Sequence, residues 1–271
     1  MKKFDILPIL FGVVLSIIAG YFMLRSSAAN SNPPSTQSTI ATASTIPTIQ
    51  IGNVLWDQTE MTIADVKTFA VATSFISQAE KNGGGLTYEG GFVKKPGWSW
   101  KTPYGVPAKD QEPAVHLNVK EAESVCRYFG KRLPTDAEWT SAAFVEQRNQ
   151  APTGYIKGQR YPYPGGTTPM VSHCLSGCGD YKGLAPAGAL NRGTGHVLAG
   201  STKRGVNGLY DMGGNVWEWT TTERSGGFIT RGASWWYGPE RQQESDVESK
   251  SGDIAVVYIG FRCIADSAKD K

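Results

Sequence analysis

The chain has 271 residues, of which 40% are apolar and 19% charged, and its formal net charge is +3. This length is enough for one sizeable folded domain and a tail. The small net charge and the absence of a basic run give no indication of a nucleic-acid partner. Glycine (32 residues) and tryptophan (8 residues) are abundant, so we expect much irregular structure packed on aromatic side chains.

The N-terminal residues have the composition of a membrane-targeting segment, predicted over residues 1–25. Lys2 and Lys3 precede an uncharged stretch from Ile6 to Leu24, which as a helix would be long enough to span a bilayer. Ser27-Ala28-Ala29 also resembles a signal-peptide cleavage site, although the apolar stretch is longer than most signal peptides. An uncleaved anchor is therefore preferred. The rest of the chain is expected outside the cytoplasm, anchored at the inner (cytoplasmic) membrane and periplasmic in a Gram-negative cell, or secreted if cleavage occurs.

Residues 26–48 are rich in Ser, Thr, Ala and Pro and predict a flexible linker, so the folded domain is expected over residues 49–271. Apolar spacing predicts a first helix from Ile63 to Glu80. Capping-box pairs predict a second helix that begins at Asn118 and ends at Gly130, and a third from Thr135 to about Val145.

The region from Pro152 to Asn207 is rich in Gly, Pro, Ser and Thr and shows no sustained periodicity. Structureless stretches of this length are usually functional or held by metals or disulfides. Short strands are predicted over Asn215–Thr221, Gly227–Ser234 and Val256–Ala265. The fold class is therefore α+β with a large irregular fraction.

Four cysteines are present, and in an oxidising compartment an even number favours disulfides. Their spacing leaves all three connectivities open. The three histidines, His116, His173 and His196, do not have the spacing of a metal triad, and His116 is better interpreted as a hydrogen-bonded core residue than as a base.

An ordered set of motifs resembles the formylglycine-generating enzyme, or sulfatase-modifying factor, family over about residues 50–266. The motifs are PAVH (113–116), CRYFGKRLPTDAEW (126–139), GLYDMGGNVWEWT (208–220), RGASW (231–235) and GFRC (260–263). The resemblance implies a variant C-type-lectin-like fold, loop-rich, with few helices and a small antiparallel sheet. It also implies a disulfide between Cys126 and Cys263.

The segment DMGGNVWE is, from its residues alone, a tight turn before a strand. The resemblance implies that it binds a structural calcium ion. The implied ligands are the side chains of Asp211 and Glu218 and the carbonyl oxygens of Gly214 and Val216, which suits the preference of calcium for oxygen.

The segment ITRGASWWYGPERQ (229–242) lies where catalytic members of the family carry two cysteines that bind copper(I). By motif alignment these positions are Tyr237 and Gln242 here, and neither side chain supplies a thiolate. We therefore expect neither copper nor the standard formylglycine chemistry. Trp235 is expected in the core, whereas Trp236 and Tyr237 either line a cleft or pack the loop.

Ligand-binding candidates in this segment are Trp236, Tyr237, Glu240 and Arg241. Glu240 is the candidate for handling a proton. One branch of the family, which matures the pyoverdine chromophore, also works outside the cytoplasm without the cysteine pair. The sequence thus suggests an enzyme that tailors or oxidises an exported peptide-like or small aromatic substrate, or alternatively a non-catalytic ligand- or protein-binding module of the cell envelope.

The segment HCLSGC (173–178) supports two interpretations. Cys174 and Cys178, with His173 beside them, could form a relocated soft-metal or redox site. Alternatively they form a local disulfide that braces a glycine-rich loop. Export and the distance along the chain from the segment 229–242 favour the structural disulfide.

Overall fold

The structure is a computed structural model that describes residues 44–184 and 194–267. The described residues all belong to one compact unit, which begins at residue 40. The predicted anchor (1–25) and most of the predicted linker (26–48) lie outside the described residues. Within the described part of the chain, no helix is long and apolar enough to cross a membrane.

Short helices and strands alternate with long loops. The helices of the described residues are α1 (Ile63–Thr73), α2 (Gln78–Lys81), α3 (Val119–Tyr128) and α4 (Asp136–Phe144). The strands are β1 (Thr48–Ile51), β2 (Val54–Asp57), β3 (Leu86–Tyr88), β4 (Phe92–Lys94), β5 (Trp217–Arg224), β6 (Gly227–Arg231), β7 (Glu248–Lys250), β8 (Ile259–Gly260) and β9 (Ile264–Asp266). The α+β, loop-rich class predicted from the sequence is confirmed.

Side-chain caps set the helix boundaries. Asn118 and Thr135 each accept from the backbone N–H three residues later and receive the reciprocal bond, so the two predicted capping boxes are confirmed. The predicted first helix is wrong in its length. Ser74 adopts a left-handed conformation (φ 56°) that ends α1, and Ser77 forms a new capping box that begins α2.

Three small sheets carry the strands. One has the order β1-β2-β9, one is the β3-β4 hairpin, and the largest has the order β7-β6-β5-β8. The pairs are antiparallel except β5 with β8, which is parallel. The single strand predicted over Val256–Ala265 is in fact two strands, because β8 and β9 belong to different sheets.

Tryptophan side chains form much of the interior. Those that are almost completely buried are Trp56, Trp100, Trp139, Trp217, Trp219 and Trp235. Trp100, Trp217, Trp219 and Trp235 belong to one core cluster that includes the buried face of α3, whereas Trp56 and Trp139 belong to a second cluster that includes α4.

Candidate functional site

The loop after β6 contains the predicted site, and its backbone is fixed where it leaves the strand. Gly232 has φ +94°, and a Cβ atom there would lie 2.6 Å from the carbonyl oxygen of Met212, so only glycine fits. The Trp235 N–H then donates to the carbonyl oxygen of Asn215 at 2.9 Å. These contacts hold the segment 233–237 against the DMGGNVWE segment.

The two tryptophans of this loop are both interior residues. Trp235 is 1% exposed, as expected, and Trp236 is 3% exposed. Their ring centroids lie 5.0 Å apart, and Trp236 also packs on Tyr258 at 5.5 Å. Trp236 therefore packs the loop, which is one of the two alternatives expected for it.

Tyr237 is the half-buried aromatic residue of the loop. Its ring contacts Trp217 edge-on at 5.7 Å and Tyr258 at 6.1 Å. Burial, together with the hydrogen bond and nearby hydroxyl of Tyr237, raises the pKa of Tyr258. Tyr237 thus lies at the boundary between the aromatic core and the surface.

Arg241 covers the outer face of this cluster. Its guanidinium carbon lies 4.9 Å from the Tyr237 ring centroid and 5.5 Å from that of Trp217. Ion pairs with Asp246 and Glu248 hold the side chain in place. The structure therefore brings two of the predicted ligand-binding residues, Tyr237 and Arg241, into direct contact.

Glu240 lies at the surface beside this pair. Its side chain is exposed and folds back over Gly238, where an added Cβ would lie 2.3 Å from Glu240 Oε2. It therefore belongs to the open face of the loop rather than to an enclosed pocket.

Both predicted disulfides are present. Cys126 and Cys263 are joined across 137 residues, and Cys174 and Cys178 across four. All four cysteines of the chain are therefore bonded, so the oxidised protein has no thiolate with which to hold a soft metal.

The Cys174–Cys178 loop lies against the candidate site, which overturns the argument from distance along the chain. The Leu175 N–H donates to the carbonyl oxygen of Tyr237 at 2.9 Å. Gln242, which is buried, donates from Nε2 to Cys178 Sγ at 3.1 Å. Sequence reasoning missed this contact because nothing in the spacing links residues 173–178 to residues 237–242.

The predicted calcium ligands already have protein partners. Asp211 accepts from the Gly200 N–H at 2.6 Å and from the Thr202 hydroxyl. Both carboxylate oxygens of Glu218 accept from the guanidinium of Arg262. A calcium ion here would share these side chains with their present partners.

The charge around Asp211 nevertheless suits a cation. Glu60 is fully buried beside it, and its Oε2 atom has no hydrogen-bond partner. Burial and the neighbouring Asp211 carboxylate raise the pKa of Glu60, and burial raises that of Asp211. A bound cation would favour the ionised form of these carboxyl groups, and the oxygen donors of Asp211 and Glu218 are of the type that calcium binds.

No three His, Cys, Asp or Glu side chains of the described residues are arranged as a metal-binding group. Glu60 therefore does not converge with Asp211 and Glu218 as a third carboxylate ligand. The calcium site implied by the resemblance differs from such a cluster, because its ligands are two carboxylate side chains and two backbone carbonyl oxygens.

A buried hydrogen-bonded triad next to Trp235 was also missed. His196 Nε2 donates to Glu112 at 2.8 Å, and His196 Nδ1 accepts from the Tyr104 hydroxyl at 2.7 Å. Burial lowers the pKa of His196. No sequence signal joins these residues, since Tyr104 and Glu112 lie on loops far along the chain from His196.

Solved structures with the same fold include PvdO from Pseudomonas aeruginosa and CarF. PvdO has a TM-score of 0.51 and 17% identity, over 79% of this chain and 80% of that chain. CarF has a TM-score of 0.50 and 18% identity, over 79% and 86%. At these identities the similarity is one of fold, of the variant C-type-lectin-like kind expected from the motifs.

The family follows from the sequence comparisons. Residues 13–267 match the model of the sulfatase-modifying factor enzyme 1-like domain, and the chain belongs to this family. It is 31% identical over 193 residues to the inactive C-alpha-formylglycine-generating enzyme 2 of Mus musculus, covering 64% of this chain and 56% of that protein. It is 26% identical over 268 residues to the formylglycine-generating enzyme of Thermomonospora curvata, covering 82% and 84%.

The match to the mouse protein spans little more than half of that protein's length. The bovine protein of the same name matches over a similar share, 57%. The activity, substrates and partners of these relatives therefore carry over to this chain only as proposals.

Proposed function

We propose that this chain acts outside the cytoplasm, held at the membrane by its N-terminal segment, and that it modifies a peptide-like or small aromatic substrate without thiolate-bound copper. The observation that carries the proposal is the contact between the half-buried Tyr237 and the guanidinium of Arg241, 4.9 Å from its ring. Tyrosine and arginine side chains join apolar contact area to polar groups, a combination typical of ligand-binding surfaces.

An exposed aromatic pair extends this surface. Tyr88 and Phe92, on the β3-β4 hairpin, are 44% and 52% exposed, and their ring centroids lie 5.6 Å apart. The hairpin is joined to the segment before Tyr258, where the Val257 N–H donates to the Leu86 carbonyl oxygen at 3.0 Å, and Tyr258 in turn packs on Tyr237. Exposed aromatic side chains near the Tyr237–Arg241 pair favour an aromatic or peptide ligand.

A structural calcium ion is part of the proposal. The Asp211 and Glu218 side chains and the Gly214 and Val216 carbonyl oxygens would hold it, and oxygen donors of this kind are those that calcium prefers. When bound, calcium would supply positive charge that fixes the DMGGNVWE segment on which Trp235 rests.

The alternative is a binding module with no activity. Two observations favour it: the similarity to a mouse protein named inactive, and the exposure of Glu240, the candidate for proton handling. A solvent-exposed carboxylate has no enclosed environment in which to hold a substrate proton.

Binding and turnover by the full-length chain distinguish these functions. Short peptides with and without a central aromatic residue would be titrated by fluorescence, and products sought by mass spectrometry. Replacing Tyr237→Ala is expected to weaken binding by about tenfold or more. The matched control is Tyr210→Ala, because Tyr210 is also half-buried and lies 5.1 Å from an arginine, Arg204.

Equal binding by the wild-type and Tyr237→Ala proteins would contradict the proposed surface. Product formation that Glu240→Gln abolishes, with binding retained, would support the enzyme. Binding without any product would support the module.

A further inference from the structure

We propose that the Cys174–Cys178 disulfide is redox-active and takes two electrons from a dithiol peptide bound at the Tyr237 face. This inference rests on the proposed function, since it names the substrate class and the oxidising group of the same site.

The two disulfides of the chain differ in their burial. Cys126 and Cys263 are completely buried. Cys174 and Cys178 are half-buried, and the three residues between them are exposed. Exchange requires a thiolate to reach a disulfide sulfur, so only the second bridge is open to a substrate. Its ring is short, so its contribution to stability is also the smaller of the two.

Neighbouring groups make the two sulfurs unequal. The Gln242 side chain is buried against Ser172, whose hydroxyl lies 3.0 Å from Gln242 Oε1, and its Nε2–H faces Cys178 Sγ at 3.1 Å. A donor aimed at sulfur stabilises a thiolate there. Cys174 Sγ instead lies 3.1 Å from the carbonyl oxygen of Ser176, which disfavours negative charge. Cys178 is therefore the leaving sulfur and Cys174 the sulfur attacked.

The bridge lies beside the proposed substrate surface. The Leu175 N–H is bonded to the Tyr237 carbonyl oxygen at 2.9 Å. Gly177 packs on the ring of Pro239, where an added Cβ would lie 3.3 Å from Pro239 Cγ. A peptide seated on the Tyr237 ring would thus be next to the disulfide.

The exchange balances without any further reactant. A substrate thiolate attacks Cys174 Sγ, the bond to Cys178 breaks, and Cys178 leaves as a thiolate. A second substrate thiolate then attacks the substrate sulfur of the mixed disulfide, and Cys174 leaves. The substrate loses two electrons and two thiol protons and gains a disulfide, while the chain gains two thiols.

The first experiment incubates the oxidised full-length chain with a reduced peptide that carries two cysteines and an aromatic residue. Differential alkylation and mass spectrometry then locate the new thiols. We expect one peptide disulfide per chain, with label on Cys174 and Cys178 and none on Cys126 or Cys263. Peptide oxidation that continues unchanged in the Cys174→Ser, Cys178→Ser double variant would overturn the proposal.

The second experiment tests the inequality of the two sulfurs. Starting from the oxidised peptide, Cys174→Ser should accumulate a mixed disulfide through Cys178 about tenfold faster than Cys178→Ser does through Cys174, because the stabilised Cys178 thiol has the larger thiolate fraction. In the reduced protein, Gln242→Leu should raise the pKa of the Cys178 thiol measured by alkylation. The matched control, Gln243→Leu, removes an exposed neighbouring amide and should leave that pKa unchanged. Equal trapping in both serine variants would contradict the mechanism.

Reduction by dithiothreitol, a small dithiol, distinguishes the redox activity of the bridge from recognition of the peptide. If it opens Cys174–Cys178 readily but the peptide is not oxidised, the dithiol peptide is not a substrate and this inference fails, whereas the proposed function is decided separately by the Tyr237→Ala binding test. If the bridge stays closed with both reagents, the redox role is wrong, and binding at the Tyr237 face is unaffected.

Discussion

The guanidinium of Arg262 and the carboxylate of Glu218 form an ion pair that is enclosed in the protein interior. Arg262 Nη2 lies 2.6 Å from Glu218 Oε1, and the two side chains are 0% and 1% exposed. Trp139 Nε1 also donates to Glu218 at 2.7 Å. The pair joins the connection between β8 and β9 to strand β5, so it fixes the point where the chain passes from one sheet to another.

Removing the cation should destabilise the fold strongly. Arg262→Met leaves the Glu218 charge buried without its partner, and we expect a loss of about 3–5 kcal/mol. Arg132→Met is the control, because Arg132 pairs with carboxylates at the surface, and it should cost about 1 kcal/mol or less. Urea unfolding with a chelator present measures both, and equal losses would contradict the prediction.

Calcium should stabilise the protein through Asp211. A ligand that binds only the folded state at about 100 times its Kd adds about 2.7 kcal/mol, so the thermal midpoint should rise on calcium addition. Asp211→Asn should reduce that rise, whereas Asp253→Asn, at an exposed position, should not. A midpoint that calcium leaves unchanged in the wild-type protein would argue against the site.

How much the sequence predicts depends on whether the signal is local. The capping boxes at Asn118 and Thr135 involve residues three apart, and both helices were predicted correctly. The cysteine pairing came from the motif resemblance, because spacing left it open. The contact of Gln242 with Cys178 and the triad around His196 join residues at least 64 positions apart. No pattern in one sequence indicates such contacts, and the exposure of Trp236 likewise depends on packing against Tyr258.

Stability should decrease in mild acid because of His116. This side chain is fully buried, and burial lowers its pKa to about 4. In the unfolded chain the ordinary pKa is about 6.5, so below that pH the unfolded state binds a proton that the folded state does not. Stability from this residue is therefore complete above about pH 6.5 and is lost toward pH 4, by about 3 kcal/mol.

The comparison variant for His116 is Asn, which tolerates the positive φ of 59° at this position. Urea unfolding of both proteins from pH 7 to pH 4 gives the difference between their pH profiles, in which the other titrating groups largely cancel. Parallel profiles would show that His116 is not responsible.

The two disulfides should differ in their effect on stability. On the chain-entropy model, the Cys126–Cys263 bond, which joins residues 137 positions apart, contributes about 5 kcal/mol to stability. The Cys174–Cys178 bond, which joins residues four positions apart, contributes about 2 kcal/mol. Replacing Cys126 and Cys263 together by Ala should therefore lower the free energy of unfolding more than replacing Cys174 and Cys178. Denaturant unfolding of the two double variants checks this order, and the reverse order would contradict it.

Gly85 should not tolerate even a methyl group, because the ring of His116 lies directly against it. A Cβ atom at Gly85 would lie 2.2 Å from His116 Nδ1 and 2.8 Å from Cε1. The ring cannot easily withdraw, since its Nε2 donates to the carbonyl oxygen of Pro103 at 3.0 Å and the side chain is fully buried. Gly85→Ala should therefore cost about 1–3 kcal/mol or more.

The control for Gly85→Ala is Gly91→Ala, because an added Cβ at Gly91 meets no atom within 4 Å. Its effect should stay within about 0.5 kcal/mol. Combining Gly85→Ala with His116→Asn should cost less than the sum of the single changes, because the smaller amide relieves the overlap. If the losses in the free energy of unfolding are purely additive in urea, the clash with His116 is not the cause of the Gly85→Ala effect. The cause is then the backbone conformation at Gly85.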